Sequence, residues 1–215
     1  PMAIDFSLSP DLEDIRRRVR TFVEDVIKPA ECRIEGDGHA FPLQGNDRIK
    51  ELIAMRKMAY KERLWLPHMP EEWGGMGLTH VQLAMVQAEA AKSHYGPWVL
   101  NCQAPDEGNM HTLLHWGTEE QLDKYLKPLC EGRATSCFAM TEPDVAGSDP
   151  TLIQTSGYQD GNEWVINGHK WFISNAHRAN FAILVVRTEE NPDIPQAANS
   201  AFIIDLPHVG WNEVR

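Results

Sequence analysis

At 215 residues, with 42% hydrophobic and 24% charged residues, the chain has the composition of a folded globular protein long enough for one or two cores. A total of 20 Lys and Arg against 31 Asp and Glu gives a net charge of −11, which argues against a general nucleic-acid or anionic-membrane surface. No apolar run reaches the ~20 residues that span a bilayer and no signal-peptide pattern opens the chain. The expected compartment is the cytoplasm, or a mitochondrial or peroxisomal matrix in a eukaryote.

The first part reads as helices. Ser9 is a candidate N-cap with Pro10 at the first helical position, and Leu12, Ile15, Val19, Phe22, Val23, Val26 and Ile27 recur at helical spacing. Arg16, Arg17, Arg18 and Arg20 fill the other face and read as a solvated stripe. Residues 35–42 form a loop. A second helix is predicted over 46–64, with Ile49, Leu52, Ile53 and Met58 turned inward. Pro67-His-Met-Pro70 stops it, and Trp73-Gly-Gly-Met-Gly77 reads as a structural turn rather than a phosphate loop. Thr79 can cap a third helix through Leu83, Val86, Ala90 and Ala91, and another is expected over 106–116. Thr118-Glu-Glu-Gln121 has the form of a capping box opening a short helix through Leu122, Tyr125, Leu126 and Leu129, which Gly132 ends.

From Ala134 the period switches to that of strands. They are expected over 136–140, 152–158, 163–167, 169–174, 181–187 and 201–204, with Asp160-Gly161 and Asn167-Gly168 as tight hairpin turns and 189–199 as a surface loop. The expected domains are therefore 1–132, all helical, and 133–215, built of strands.

Few residues carry chemistry. Cys32, Cys102, Cys130 and Cys137 form no C-x-x-C pair, so they read as reduced, buried thiols, and Cys137 reads as packed rather than nucleophilic. Glu107, His111 and His115 share a helix face without a further strong ligand, so no metal site is assigned. The stretch Cys137–Asp149 is the most informative. An apolar strand stops at Glu142-Pro143, and Gly147-Ser148-Asp149 then offers backbone amides and a hydroxyl. Two readings stand side by side: a cradle for an anionic group, or an ordinary strand exit. Glu142 and Asp149 are read as caps that fix the loop. Phe172 and Ser174, on one face of the expected 169–174 strand, either hold a flat ring or pack into a core.

Phe138-Ala-Met-Thr-Glu-Pro-Asp-Val-Ala-Gly-Ser-Asp149, followed by Ile166-Asn-Gly-His-Lys-Trp-Phe-Ile-Ser-Asn175, closely resembles the two middle-domain signatures of the acyl-CoA dehydrogenase family. Pro70–Gly77 and Gly108-Asn-Met-His-Thr-Leu-Leu add support, and the wording is closest to the ten- and eleven-type branch. The resemblance implies an α+β fold: an N-terminal helical domain followed by an antiparallel β-barrel-like domain, incomplete here, with a C-terminal four-helix domain absent from this chain. It implies FAD as cofactor, with Phe138, Met140 and Thr141 along the flavin, Gly147 and Ser148 at the pyrophosphate, Phe172 in place of a common Trp and Ser174 in place of a Thr. It further implies α,β-dehydrogenation of an acyl-CoA to a trans-2-enoyl-CoA, an electron-transfer flavoprotein or similar acceptor, and a homo-oligomer at full length. The catalytic glutamate of the family lies beyond this chain, so no catalytic residue is assigned and the fragment alone is expected to be inactive. Alternatives are an acyl-CoA oxidase, a nitroalkane-oxidase-like flavoprotein, or a non-catalytic binding or assembly module that retains the fold.

Overall fold

A computed structural model describes residues 7–36, 42–189, 193 and 198–213. Most of the 189–199 loop expected from sequence lies outside these residues. The chain divides into two compact units, 1–107 and 108–215. Packing groups the helices after Glu107 with the strands, whereas the change from helix to strand falls near residue 133.

The first unit is helical. Helix α1 (Pro10–Phe22) starts where Ser9 Oγ accepts the Leu12 N–H at 3.3 Å, and it buries Leu12, Val19 and Phe22. The segment Val23–Ile27 widens to π geometry before α2 (Lys28–Glu35). Pro29 explains the widening: it has no N–H to give, and its ring crowds the carbonyl four residues back. The same arrangement recurs at Leu122–Leu126, ahead of Pro128.

Two expectations about helix faces fail in this unit. The arginine face of α1 is not merely solvated. Arg16 and Arg20 reach Glu89 at 2.9 and 2.7 Å, and Lys92 reaches it at 2.5 Å. Glu89 is buried near the end of α4 (His80–Ala90). Hydrogen bonding from Arg20, with Lys92 adding, outweighs burial and holds its carboxyl at about 2. Helix α3 (Gly45–Lys61) instead buries Met55 and Ala59, while Ile49, Ile53 and Met58 stay exposed. Apolar residues lie on more than one face of α3, and tertiary packing selected the Met55–Ala59 stripe. The Trp73–Gly77 stretch is structural: the N–H groups of Gly75, Met76 and Gly77 go to the Pro70, Leu66 and Met69 carbonyls. Helix α4 carries the capping box of Thr79 and Gln82, and α5 is Gly96–Val99.

In the second unit α6 (Asp106–Trp116) leads to α7 (Glu119–Gln121), opened by the Thr118–Gln121 capping box, and then to α8 (Lys127–Cys130). The sheet centres on β4 (Phe181–Arg187). Strand β1 (Ser136–Ala139) runs parallel to it from Ser136↔Phe181 to Ala139↔Leu184. Strand β5 (Asn199–Asp205) pairs antiparallel with β4, and must lie on the opposite edge because β1 and β5 both pair with residues 181–184. Strand β2 (Ser156–Asp160) touches β4 in parallel at Arg187 and forms a hairpin with β3 (Glu163–Asn167), Gly161 taking φ +62 in the turn. The fold is α+β as expected, but this sheet is mixed rather than antiparallel.

Two further strand expectations are corrected. Residues 169–174 form no strand, because Phe172 and Asn175 adopt φ values of 53 and 71, in the left-handed region that breaks extended backbone. Asn167-Gly168 makes no hairpin. Gly168 is small because the Thr155 side chain sits where its Cβ would be, with Oγ1 only 2.1 Å away.

Alternation assigns the two sheet faces. Ser136, Phe138, Phe181 and Ile183 share one face. The helical segment covers its Ser136 end: Asn109 donates to Ser136 Oγ at 2.8 Å, and the Tyr125 ring lies 4.8 Å from that of Phe181. Ala139, Leu184 and Val186 are buried on the other face, with Ile166, Ile173, Phe202, Ile204 and Trp211 packed around them.

Candidate functional site

The site is built where β1 ends. Glu142 is buried, and its carboxylate accepts the Gln154 N–H at 2.7 Å and the Thr155 N–H at 2.9 Å. Lys170 donates to Glu142 Oε1 at 2.8 Å and to the Met140 carbonyl at 2.9 Å. The two side chains are 4% and 8% exposed, so this is a buried ion pair. Burial alone would raise the Glu142 carboxyl; Lys170 and the donors of Gln154 and Thr155 outweigh it and hold the group at about 2. Burial pulls the Lys170 ammonium downward, and Glu142 opposes that pull.

One residue further on, the Trp171 N–H donates to the Thr141 carbonyl at 3.0 Å. The chain then runs back along β1, where Asn175 Nδ2 approaches the Ser136 carbonyl at 3.4 Å. Phe172 and Ser174 lie on this returning stretch, which brings them beside the strand that carries Phe138. Phe172 is 82% exposed and Phe138 39%, so both rings are open to a ligand.

The loop after Glu142 folds back on Thr141. A Cβ at Gly147 would meet Thr141 Cγ2 at 3.0 Å, so the Gly147 backbone lies directly against that side chain. Asp149 fixes the far end by accepting the Thr151 N–H at 3.0 Å and hydroxyl at 2.6 Å, and these bonds lower its pKa. Arg187 donates to the Thr151 and Ile153 carbonyls, and Asn199 to that of Pro150 at 2.8 Å. Glu142 and Asp149 are therefore caps, as read from the sequence. Among the described residues, no hydrogen bond takes up the N–H groups of Thr141, Gly147 or Ser148.

The sequence-derived residues Phe138, Met140, Thr141, Gly147, Ser148, Phe172 and Ser174 thus come from three stretches: the Glu142–Lys170 pair and the Trp171–Thr141 bond hold Met140, Thr141, Gly147 and Phe172 near the end of β1, while Phe138 lies within the strand and Ser174 toward its Ser136 start. Phe172 alone of them also lines a concavity of about 800 Å³, together with Ile166, Leu184 and Trp211. Leu184 places that concavity on the sheet face away from Phe138, so Phe172 and Phe138 mark different faces. Lys170 went unnoticed in the sequence. Its only local signal is a cation inside an aromatic run, and its partner lies 28 positions away.

Other candidates are structural. Cys102, Cys130 and Cys137 are buried, and burial pushes the Cys102 and Cys130 thiols up to about 12. Cys32 is exposed, contrary to expectation, because it sits on the outer face of α2. The His111 and His115 rings stack at 6.4 Å, and no cluster of His, Cys, Asp or Glu able to hold a metal occurs among the described residues.

The model of the acyl-CoA dehydrogenase N-terminal domain matches residues 9–133, and that of the middle domain matches residues 137–213. Acyl-CoA dehydrogenase family member 11 of Gallus gallus is 36% identical over 94% of this chain, which spans 26% of that protein. Family member 10 of Mus musculus is 34% identical over 92% of this chain and 19% of its own length. A solved Mycobacterium abscessus structure described as an acyl-CoA dehydrogenase superposes with a TM-score of 0.84 at 30% identity, over 95% of this chain and 52% of the other. An FAD complex of PigA gives 0.66 at 26% identity, over 96% of this chain and 51% of the other. The chain spans about half or less of the relatives it matches, and with the N-terminal domain model alone covering more than half of its residues, it belongs to the acyl-CoA dehydrogenase family.

Proposed function

We propose that this chain supplies a flavin-binding half of an FAD-dependent acyl-CoA dehydrogenase that converts an acyl-CoA to its trans-2-enoyl-CoA. The observation that carries this reading is the meeting of Thr141, the Gly147–Ser148 backbone and Phe172 at one end of β1. The residues suit FAD: two N–H groups without hydrogen-bond partners among the described residues and the Ser148 hydroxyl match pyrophosphate oxygens, and Gly147 lets this loop pack directly against Thr141. Thr141 can hydrogen-bond a pyrimidine edge, and the exposed Phe172 ring can cover one face of a flat ring and exclude water. The FAD complex of PigA supports the same cofactor within a related fold.

FAD, when bound, supplies a hydride acceptor for the substrate β-carbon. The residues here hold and orient it, and none is built to remove the α-proton. Glu142 is buried, held near pKa 2 and engaged by Lys170, Gln154 and Thr155, while Asp149 is engaged by Thr151. We therefore assign the base to another part of the whole protein, with acyl-CoA as substrate and an electron-transfer flavoprotein or similar protein as acceptor. The helix-to-strand change near 132/133 is taken as the functional domain boundary.

Titrating the chain with FAD while following flavin fluorescence, then adding a saturated acyl-CoA with a dye acceptor, tests this reading. Saturable quenching without dye reduction is the expected result. An absence of quenching would count against the flavin site, and turnover would show that the chain holds its own base.

A further inference from the structure

We infer that the buried Glu142–Lys170 pair is the positioning element of the flavin site, acting through the Met140–Thr141 peptide. The inference rests on the flavin reading above. Lys170 takes the Met140 carbonyl at 2.9 Å and Glu142 at 2.8 Å, and the next residue, Trp171, takes the Thr141 carbonyl at 3.0 Å. In a trans peptide the N–H points opposite to the carbonyl that precedes it. Turning the Met140 carbonyl in toward the buried ammonium therefore turns the Thr141 N–H the other way, where no acceptor among the described residues uses it. The same turn holds the Thr141 side chain against Gly147. A salt bridge in the protein interior thus sets the direction of a donor at the candidate pyrimidine edge and the packing of the pyrophosphate loop.

Geometry separates this role from simple stability. Glu142 is already satisfied by two backbone amides of the Gln154–Thr155 segment, and it does not touch the 143–149 loop through them. Lys170 is what links that anchored carboxylate to the Met140 carbonyl. Neither side chain is open enough to touch a ligand itself, at 4% and 8% exposure. Both are positioning residues rather than catalytic ones.

The test compares wild type, Lys170→Arg and the double variant Glu142→Gln/Lys170→Met. Removing both charges together avoids stranding one of them in the interior, where an unpaired charge is the main threat to folding. Folding is checked by cooperative urea unfolding. The readouts are the FAD Kd, the visible spectrum of bound flavin, and amide hydrogen exchange at Trp171 without FAD. We expect the double variant to fold, to bind FAD at least about tenfold more weakly with a shifted spectrum, and to exchange the Trp171 amide faster. Lys170→Arg should recover part of the affinity. A folded double variant with wild-type affinity, spectrum and exchange would overturn the positioning role while leaving the flavin reading intact. A wild-type chain that binds no FAD would overturn both. If the double variant fails to fold, Lys170→Arg decides: an unchanged spectrum and Kd with its planar, differently directed donors would overturn the inference, and a shifted spectrum in a folded protein would support it.

Discussion

Gly168→Ala offers a sharp test of the architecture that holds the site. The added Cβ would lie 2.1 Å from Thr155 Oγ1, 2.5 Å from Thr155 Cβ and 2.6 Å from Cγ2. All three distances are below any real contact, and the neighbour cannot swing aside. Thr155 is β-branched, is 3% exposed, and gives its N–H to Glu142. Relief therefore requires the backbone at 155 or 168 to move, and forced overpacking of this kind costs about 1–3 kcal/mol. Because Thr155 holds the carboxylate that Lys170 engages, the strain should pass to the Met140–Thr141 turn and weaken FAD binding as well. Urea unfolding and flavin fluorescence measure the two effects. Thr155→Ala should not rescue the variant, since the Thr155 Cβ alone already clashes. Unchanged stability and FAD affinity in Gly168→Ala, or full rescue by Thr155→Ala, would refute the reasoning.

Further outcomes follow from the same contacts. Glu89 and Glu142 are both held at about 2 against an ordinary 4.5, so each contributes stability that is present above about pH 4.5 and is lost as pH falls toward 2. Unfolding free energy should drop by about 2 kcal/mol per group between pH 7 and pH 3, and a flat profile would contradict the assignment. Glu89→Ala leaves Arg16, Arg20 and Lys92 facing one another without their shared anion. It should cost about 2–3 kcal/mol in urea unfolding, less than a fully buried pair because the cations are partly exposed. In the native chain Cys32 alone of the 4 cysteines should react rapidly with a thiol reagent, and all should react after unfolding.

What the sequence revealed was mostly what short-range chemistry decides. The caps at Ser9, Thr79 and Thr118 and the β-branched and apolar run Phe181–Arg187 are local signals, and each formed as expected. The site loop was legible for the same reason, because a strand running into Glu-Pro and then Gly-Ser is a local pattern. Long-range choices were not legible. Which stripe of α3 turns inward depends on what packs there, and hydrophobicity alone pointed to Ile49 and Ile53 rather than Met55 and Ala59. The parallel pairing of β1 with β4 leaves no trace in any turn, so an antiparallel sheet was the natural expectation. The 169–174 segment has the composition of a strand, yet the ties of Lys170 and Trp171 to the end of β1 fix it as an irregular stretch. Arg16, Arg20 and Glu89 are separated by about seventy residues, and only the fold makes them neighbours.

The most direct measurement is an amide-correlation NMR titration of the chain with FAD. It separates the end of β1, where Thr141 and Gly147 meet, from the concavity on the sheet face away from Phe138. The account predicts that the amides of Thr141, Gly147, Ser148 and Ser174 shift and saturate together. Shifts confined to Ile166, Leu184 and Trp211, or none at all, would contradict it.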